Sequence, residues 1–474
     1  MFHTLNILRI LADPRIVLPA LREFQQPEGT DSPGVKKRSI GWRQRLGAAK
    51  FILRWLRGER LTRHRGQWVI GSYLPPFPGR AYDRFFARVL AGQRLAPHSA
   101  FLSLTSKCPA DCWHCSAKNR RLGQDLTTDQ WLDVIAQLHR LGVCFIGLTG
   151  GEPSTREDLP TLIRAAYEGG AAVELFTSGI GLTEGKINAL RHAGLWAVGV
   201  SLDRTEPDAV DRMRGTAKAF DSALSALEMS RRADLYTFIN AVVDRESVTS
   251  GEYRRLYDLA RRLKLHELRL LEPMPCGRLA GISQQRRADS VPLLRRSSAE
   301  CNPLPGTACL QAVAHGGEEC GLASAGGKCR LTPEQVAELR QFHRETNRRE
   351  RGPKVCAFPE IESPEMFGCG AGTFHLYIDP SGNVCPCDFV PLSFGNVLRE
   401  RLEVVVRRMG DAMRQPRRHC FLQTNAALID RRATEHGYPL SPELSVQVVA
   451  ESPEEPLPDY FQFVAKPLGL PEEG

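Results

Sequence analysis

The sequence predicts an α/β fold, a partial (β/α)6 TIM-like barrel with a basic helical N-terminal extension and a small C-terminal domain made of a β-hairpin and a helix. Three observations predict it. Six short apolar runs alternate with helical stretches of roughly 10 to 15 residues, as in a parallel sheet. Glycine and polar residues follow several of these runs, where strand ends of a barrel meet. The 474 residues are also enough for two or three cores.

The predicted organisation has six parts. They are the basic extension (1–98), the barrel (99–282), a cysteine-containing insertion (283–330), a closing helix and linker (331–360), the C-terminal hairpin domain (361–425) and a tail (426–474). The tail is rich in Pro and Glu and has weak periodicity, so we expect it to wrap the surface or to be partly disordered.

Each barrel strand is predicted from a short apolar run. The runs are 101–104, 144–149, 172–179, 196–203, 235–243 and 266–272. A helical pattern over 127–141 joins the first two strands, and two further helices are predicted over 331–349 and 398–409. Since active sites of parallel barrels gather at the carboxyl ends of the strands, residues that follow these runs are the candidate site.

Three cysteines follow the first strand with gaps of three and two residues, at Cys108, Cys112 and Cys115. A loop with these gaps can supply three thiolates to a four-iron cube and leave the fourth iron open. An open position on a metal is typical of a catalytic centre, whereas four-cysteine sites are closed. A zinc knuckle that lacks one ligand and three unrelated thiols are the alternatives.

This triplet resembles that of the radical S-adenosylmethionine (SAM) superfamily, whose open iron chelates the amino and carboxylate groups of SAM. The resemblance implies a [4Fe-4S] cluster with an open iron site and SAM as cofactors, and it places His114 of the same loop beside SAM. Gly150-Gly151-Glu152-Pro153 ends the second strand and resembles the GGE motif of the family, in which the carboxylate holds the SAM amino group. Taken alone, these four residues also fit a plain strand-to-helix turn.

The next two strands end in further candidates. Ser178 follows the third strand, and Ser201 and Asp203 lie two residues apart at the end of the fourth, so they point to one face. The resemblance implies that these residues contact the ribose or carboxylate of SAM. Arg214 is either a carboxylate partner or a solvated helix charge. Cys276, in the irregular loop after the sixth strand, is interpreted as a buried thiol.

A second set of cysteines, Cys369, Cys385, Cys387 and Cys420, accompanies a predicted hairpin over 374–387 with its turn at Asp379-Pro-Ser-Gly382. Cys385 and Cys387 are two apart on an extended segment, so both thiols can face one side. The arrangement resembles the SPASM or twitch extension of radical SAM proteins, although a full SPASM pattern has more cysteines. Four ligands fit one closed auxiliary iron-sulfur cluster, and a zinc site has the same ligand count.

The remaining cysteines give weaker signals. Cys144 and Cys356 lie in apolar strands and are predicted to be core residues. The insertion carries four more with wide spacings, which fit a third metal site, loose loop thiols or a labile disulfide pair. These four are Cys301, Cys309, Cys320 and Cys329.

The positive charge is concentrated at the N-terminus. Residues 1–66 hold 14 Lys and Arg against five acids, which equals the net charge of +9 of the whole chain. Residues 43–57 form an amphipathic basic helix by pattern, with Arg43, Lys50, Arg54 and Arg57 on one face. This helix fits an anionic membrane surface, an acidic peptide or a solvated cap on the barrel. No nucleic-acid-binding module accompanies the charge, so nucleic acid is not an expected partner.

Close-spaced thiols in a long barrel-like chain favour metal clusters in a reducing compartment over disulfides, so we expect a cytoplasmic protein, with peripheral membrane contact through residues 43–57 as one alternative. The first 20 residues lack the pattern of a signal peptide. No apolar run approaches the length that spans a bilayer.

The family resemblance implies a radical SAM enzyme. Such an enzyme cleaves SAM reductively to a 5′-deoxyadenosyl radical that abstracts a substrate hydrogen, takes its electron from a reductant such as flavodoxin or ferredoxin, and uses an auxiliary iron-sulfur cluster. A peptide or protein is the first expected substrate, and a lipid or membrane-associated small molecule is the alternative. An iron-sulfur electron-transfer protein without catalysis is a hypothesis of another class. The motifs identify no catalytic side chain and no reaction outcome.

Overall fold

The computed structural model describes residues 55–56, 58–90, 97–118, 120, 123–280, 329–349 and 351–465. The predicted basic helix over 43–57, apart from its residues 55 and 56, lies outside this part of the chain, and so do Cys301, Cys309 and Cys320 of the insertion. Within the described part, no helix combines the length and the apolar character needed to cross a membrane.

The described strands are short, as expected for a parallel sheet. They are β1 (Thr62–His64), β2 (Gln67–Val69), β3 (Ser99–Ser103), β4 (Phe145–Thr149), β5 (Ala172–Thr177), β6 (Ala197–Ser201), β7 (Tyr236–Val242), β8 (Glu267–Leu271), β9 (Lys354–Ala357), β10 (His375–Ile378) and β11 (Val384–Cys385). The six predicted barrel strands correspond to β3 through β8, and the predicted hairpin corresponds to β10 and β11.

Helices connect most of these strands. They are α1 (Arg80–Leu90), α2 (Thr128–Arg140), α3 (Leu159–Glu168), α4 (Glu184–His192), α5 (Pro207–Arg214), α6 (Ala219–Arg232), α7 (Arg245–Thr249), α8 (Glu252–Arg262), α9 (Pro333–Asn347), α10 (Phe358–Ile361), α11 (Leu402–Ala412), α12 (Phe421–His436), α13 (Pro442–Ala450) and α14 (Asp459–Ala465). The helix predicted over 127–141 is observed as α2, and a capping box formed by Thr127 and Gln130 stabilises its start.

One sheet of nine strands has the order β11-β10-β3-β4-β5-β6-β7-β8-β9. In this spatial order, all neighbouring strands between β10 and β9 are parallel, and only β11 runs antiparallel to its neighbour β10. The sheet is open at both edges, which confirms a partial rather than a closed barrel. The C-terminal hairpin is continuous with this sheet, because β10 pairs in parallel with β3.

The β1–β2 hairpin covers the amino-terminal ends of the barrel strands. Val69 is fully buried in a cluster with residues that begin or precede β4 to β7, among them Phe145, Trp196 and Tyr236. The Ser72 backbone N–H donates to Glu267 on β8 at 3.0 Å. One end of the barrel is therefore closed by protein, and the opposite rim is left for the site.

Between residues 427 and 465, where the structure describes it, the tail is largely helical, whereas the sequence predicted a surface wrap or partial disorder. Residues 421–436, 442–450 and 459–465 are helical, and Val448 and Phe461 are buried. Its composition predicted weak packing because few apolar residues recur at helical spacing. Of these helices, α13 packs against α11 and α12, and the Phe461 ring of α14 stacks on Phe374 at a centroid distance of 5.7 Å.

Candidate active site

The loop that carries Cys108, Cys112 and Cys115 lies directly against the end of β4. The Gly151 N–H donates to the carbonyl of Thr105 at 2.7 Å, and the Glu152 N–H donates to the carbonyl of Lys107 at 2.8 Å. A Cβ on Gly151 would lie 2.2 Å from the Lys107 oxygen, and one on Gly150 would lie 2.8 Å from the Thr105 oxygen. Because neither glycine has a Cβ, the backbone at the end of β4 can lie close to the backbone of the cysteine loop.

Two further segments support the same loop. The N–H groups of Asp111 and Trp113 donate to carbonyls at the end of α5, at 2.7 and 3.1 Å. The Arg278 N–H donates to the Cys115 carbonyl at 3.1 Å, and a Cβ on Gly277, whose φ is +57°, would lie 2.1 Å from that oxygen. Sequence reasoning missed the support from residues 277 and 278, and the glycine in this irregular loop was the available signal.

Arg214 connects the cysteine loop to Asp203. Its guanidinium lies 2.6 Å from Asp203 Oδ2 and 3.6 Å from Cys112 Sγ, and the two charged side chains are 8% and 2% exposed. Arg214 is therefore a buried carboxylate partner, and its interpretation as a solvated helix charge is wrong. Burial raises the pKa of Asp203, but Arg214 and His114 more than offset this, so the pKa of Asp203 lies below its ordinary value.

The other predicted residues at the rim differ in whether they line the cavity. Ser201 and His114 line the cavity described below, whereas Asp203 and Pro153 lie outside its lining. His114 Nε2 is 3.9 Å from Asp203 Oδ2. Burial lowers the pKa of His114 to about 4, although Asp203 opposes the shift, so the imidazole is neutral near pH 7.

Glu152 is buried, and both of its carboxylate oxygens are occupied. Oε1 accepts from the Ser154 N–H at 3.1 Å and the Thr177 hydroxyl at 2.7 Å. Oε2 accepts from the N–H and the hydroxyl of Ser178 at 2.7 and 2.6 Å. Glu152 therefore joins the ends of β4 and β5, and Ser178 is its principal partner. The structure brings these two predicted residues together.

A single cavity of about 540 Å³ extends from this rim into the barrel and to the C-terminal cysteines. At the rim, the residues that line this cavity include all three cysteines of the loop. The predicted residues that line it are Cys108, Cys112, His114, Cys115, Gly150, Gly151, Glu152, Ser178, Ser201 and Arg214. Its volume falls within the roughly 300–1,000 Å³ range of small-molecule sites.

Deeper in the barrel, the cavity is lined by Phe101 and Phe176 and by a buried ion pair. Arg269 donates to Glu174 Oε1 at 2.9 Å, while Glu174 Oε2 has no hydrogen-bond partner among the described residues. Burial raises the pKa of Glu174 to about 8, against the opposing effect of Arg269. In this carboxyl group of the barrel interior, burial favours the protonated form and Arg269 favours the charged form.

At the far side of the cavity, the structure brings together three of the four predicted auxiliary ligands. Cys369, Cys387 and Cys420 all line the cavity. The neighbouring Cys420 thiol lowers the pKa of Cys369 below that of an ordinary thiol. Asp388 and Glu362 line the same region, and the sequence prediction did not include them.

Cys385 is set apart from this group. It is fully buried on β11 near Arg120 and lies outside the cavity lining. The prediction placed both thiols on one side because it assumed an extended segment through Cys387. The strand ends at Cys385, so the two-residue alternation does not continue.

The other described cysteines follow the predictions. Cys144, Cys276 and Cys356 are 0%, 3% and 2% exposed, in agreement with core positions. Cys276 also lines the cavity between the two cysteine sites. Of the four insertion cysteines, Cys329 is the one that the structure describes, and it is buried.

Two family models match the chain. The radical SAM superfamily model matches residues 102–248, and the SPASM model, an iron-sulfur cluster-binding domain, matches residues 369–429. The chain is similar to the PqqA peptide cyclase of Rhizobium meliloti (strain 1021), with 35% identity over 37% of this chain and 47% of the relative. It is 36% identical to that of Rhodopseudomonas palustris over 32% of this chain and 41% of the relative. The matches thus span about half the length of these relatives, or less.

Solved structures show weaker similarity. Streptococcus suis SuiB bound to the precursor peptide SuiA matches with a TM-score of 0.49 and 13% identity, over 84% of this chain and 77% of that one. Native anSMEcpe with bound AdoMet matches with a TM-score of 0.47 and 15% identity, over 78% of this chain and 96% of that one.

A radical SAM domain implies a [4Fe-4S] cluster and SAM, and a SPASM domain implies auxiliary iron-sulfur clusters. The residues present fit these groups. Cys108, Cys112 and Cys115 are free thiols on one loop that faces the cavity, and free thiols are the ligands that such clusters require. A second group of free thiols faces the same cavity from the C-terminal region. The chain contains a radical SAM superfamily domain and a SPASM domain.

Proposed function

We propose that this protein is a radical SAM enzyme that abstracts a hydrogen atom from a peptide substrate bound in the 540 Å³ cavity. The observation that carries the proposal is the shared cavity, because one continuous space reaches both the Cys108–Cys115 loop and the C-terminal thiols. A substrate held there contacts both sites. An electron-transfer protein has no need for such a space between its clusters.

In this proposal, Cys108, Cys112 and Cys115 hold the first cluster. When bound, the cluster and SAM supply the one-electron chemistry that generates a 5′-deoxyadenosyl radical. Arg214 places a positive charge 3.6 Å from Cys112 Sγ, which favours the thiolate that a metal requires. Asp203 positions that guanidinium through its 2.6 Å ion pair and thereby acts on the loop indirectly.

The rim residues bind and orient SAM in the proposal. Glu152 and Ser178 offer a carboxylate, an N–H and a hydroxyl at one point of the cavity wall. An ammonium group that binds Glu152 takes the place of one of its present donors, and the Ser178 hydroxyl is a donor that can rotate away. Phe101 and Phe176 give the deeper part of the cavity an aromatic wall.

A peptide substrate is supported by the curated relatives, which are named for cyclisation of the peptide PqqA. The test uses PqqA that carries deuterium in its side chains, together with reconstituted protein, SAM and dithionite. We expect deuterium in the 5′-deoxyadenosine and a peptide product lighter by the hydrogens that were removed. Deoxyadenosine without deuterium would show SAM cleavage without abstraction from this peptide, and it would contradict the assignment of PqqA-like peptides as substrates.

A further inference from the structure

We propose that Asn240 binds the peptide substrate, and that its side-chain amide pairs with the N–H and C=O of one residue in the extended backbone of that peptide. Asn240 is then a specificity-determining residue for a peptide, in addition to the SAM-binding residues of the rim. The inference rests on the proposed function for the class of substrate, and it adds the residue that holds the substrate backbone.

Asn240 lies on β7, inside the barrel and next to the rim. In the parallel register it pairs with Ser201 on β6 and with Arg269 on β8. Residues in register on neighbouring parallel strands point to the same face of a sheet, and all three of these residues line the cavity. Asn240 therefore lies one strand away from Ser201, a predicted SAM contact, on the side away from Glu152 and β4.

The hydrogen bonds of β7 fix Asn240 relative to the first site. The Asn240 carbonyl accepts from the Leu202 N–H at 3.2 Å. Two residues further along β7, the Val242 N–H donates to Asp203 Oδ1 at 2.9 Å, and Asp203 is the ion-pair partner of Arg214. A side chain on a strand that is held in this way has a defined position relative to the cysteine loop, as a substrate-binding residue requires.

An aromatic layer lies beneath Asn240 in the barrel. Phe238 precedes Asn240 by two residues on the same face of β7 and is fully buried. The centre of its ring lies 6.2 Å from that of Phe176 and 4.4 Å from the guanidinium carbon of Arg269. The rings offer no N–H or C=O group to the amide of Asn240, so a polar partner for this amide has to come from the cavity.

The amide oxygen of Asn240 has no hydrogen-bond partner among the described residues, and this Oδ1 atom is shielded from solvent. Its neighbour in register, Arg269, directs Nη2 to Ser72 Oγ at 2.5 Å and to Glu174 Oε1 at 2.9 Å. The Asn240 side chain as a whole is half-buried, and rotation about its last bond exchanges the positions of its oxygen and nitrogen. A shielded carbonyl oxygen without a donor is unfavourable, and a ligand that supplies an N–H removes this penalty.

The chemistry of an amide side chain favours a peptide backbone as its ligand. The side chain offers an acceptor and an N–H donor next to one another. One residue of an extended peptide presents its N–H and its C=O on the same side, as it does toward a neighbouring strand. The two groups therefore form a pair of hydrogen bonds, whereas an ammonium or a carboxylate satisfies one half of the amide.

The first test measures binding without turnover. Full-length protein is reconstituted with iron and sulfide and saturated with SAM, and N-acetylalanine N-methylamide is the probe of one extended residue. We expect ligand-detected NMR to show binding to the wild type and at least about a 10-fold loss in Asn240→Leu, which has neither donor nor acceptor. The affinity for SAM, measured by equilibrium dialysis, should be the same in both proteins.

The second test uses deuterated PqqA, SAM and dithionite. In Asn240→Leu, the fraction of 5′-deoxyadenosine that carries deuterium should fall at least about 10-fold, because the substrate is no longer held beside the site of the radical. Replacement of one backbone N–H of PqqA at a time by an ester oxygen identifies the paired residue. One such ester should lower deuterium transfer in the wild type and cause no further loss in Asn240→Leu.

The matched control is Asn188→Leu, because Asn188 is exposed on α4. This variant should leave probe binding, SAM affinity and the deuterium fraction unchanged. Circular dichroism shows whether each variant folds.

A weaker affinity of Asn240→Leu for SAM would assign the amide to SAM and overturn the inference. Equal probe signals from the wild type and Asn240→Leu, including no signal from either, or an unchanged deuterium fraction would also overturn it. The probe and SAM measurements need no turnover. They therefore still decide the inference if the wild type transfers no deuterium from PqqA, a result that would instead contradict the proposed substrate.

Discussion

The two cysteine sites on the cavity are built in different ways. The first is one loop of eight residues held by backbone hydrogen bonds from the ends of β4 and α5 and from residue 278. The second brings together Cys369, Cys387 and Cys420 from three separate segments. Backbone hydrogen bonds between Cys369 and Arg417 join two parts of the C-terminal region, and a side-chain hydrogen bond joins Cys387 to Asp388. The arrangement of cysteines on one short loop can be predicted from their spacing in the sequence. The arrangement of cysteines from distant segments also depends on where each segment ends in the fold.

The largest effect that would sharpen this comparison is expected at Gly151. In Gly151→Ala the new Cβ would meet the Lys107 carbonyl at 2.2 Å, so the cysteine loop must move. Displacement of a reactive centre by about 1 Å can lower a rate roughly 100-fold, and we expect a loss of this order in SAM cleavage. Iron at the first site should fall, while iron at the second stays.

The matched control is Gly410→Ala in α11, where a new Cβ meets nothing within 4 Å. This variant should keep full activity and gain up to about 1 kcal/mol of stability, since Ala favours a helix over Gly. Equal activity of both variants would show that the loop does not depend on the close approach at Gly151.

A smaller effect is expected for the buried ion pair behind the first loop. Arg214→Ala leaves Asp203 charged and buried without its partner, which costs about 3–5 kcal/mol in the free energy of unfolding. Urea unfolding of the apoprotein measures this loss.

Arg232→Ala is the control for that pair, because its partner Glu228 and Arg232 itself are more than half exposed. Such surface pairs contribute about 0–1 kcal/mol. If the two variants lost equal stability, the Arg214–Asp203 pair would contribute no more to the free energy of unfolding than a surface ion pair. This result would contradict the view that the pair supports the first site.

The smallest effect concerns the pH dependence of stability. Glu174 releases its proton near pH 4.5 in the unfolded chain but near pH 8 when folded. Between these values the native state binds more protons, so stability falls as pH rises, by at most about 1.4 kcal/mol per pH unit. Glu174→Gln should remove this part of the slope, as measured by urea unfolding at several pH values. Glu168→Gln, at an exposed position, should leave the slope unchanged.

The sequence was sufficient to predict the barrel and the first loop because both are local patterns. The apolar runs gave β3 to β8, and the spacing of Cys108, Cys112 and Cys115 gave the loop. The residue assignments for SAM and metal binding stay predictions. Sequence periodicity does not show which backbone segments meet in the fold. The four hydrogen bonds that Glu152 accepts and the close contact at Gly277 both depend on such meetings, so they were not predicted.

The second site was harder to predict for a related reason. A strand of two residues was taken as a longer one, so Cys385 and Cys387 were placed on one side. His375 looked like an ordinary strand residue until parallel pairing with β3 placed it against Ser99. Long-range pairing, rather than composition, brings its imidazole to the cavity.

The most direct test of the account is anaerobic reconstitution with iron and sulfide, followed by SAM and dithionite and chromatography for 5′-deoxyadenosine. The account predicts that the wild-type protein forms deoxyadenosine. It also predicts that a Cys108, Cys112 and Cys115 triple Ala variant forms none while it retains iron at the second site. A wild-type protein that binds iron at both sites, binds SAM and yields no deoxyadenosine with or without a PqqA peptide would contradict the proposed radical SAM activity.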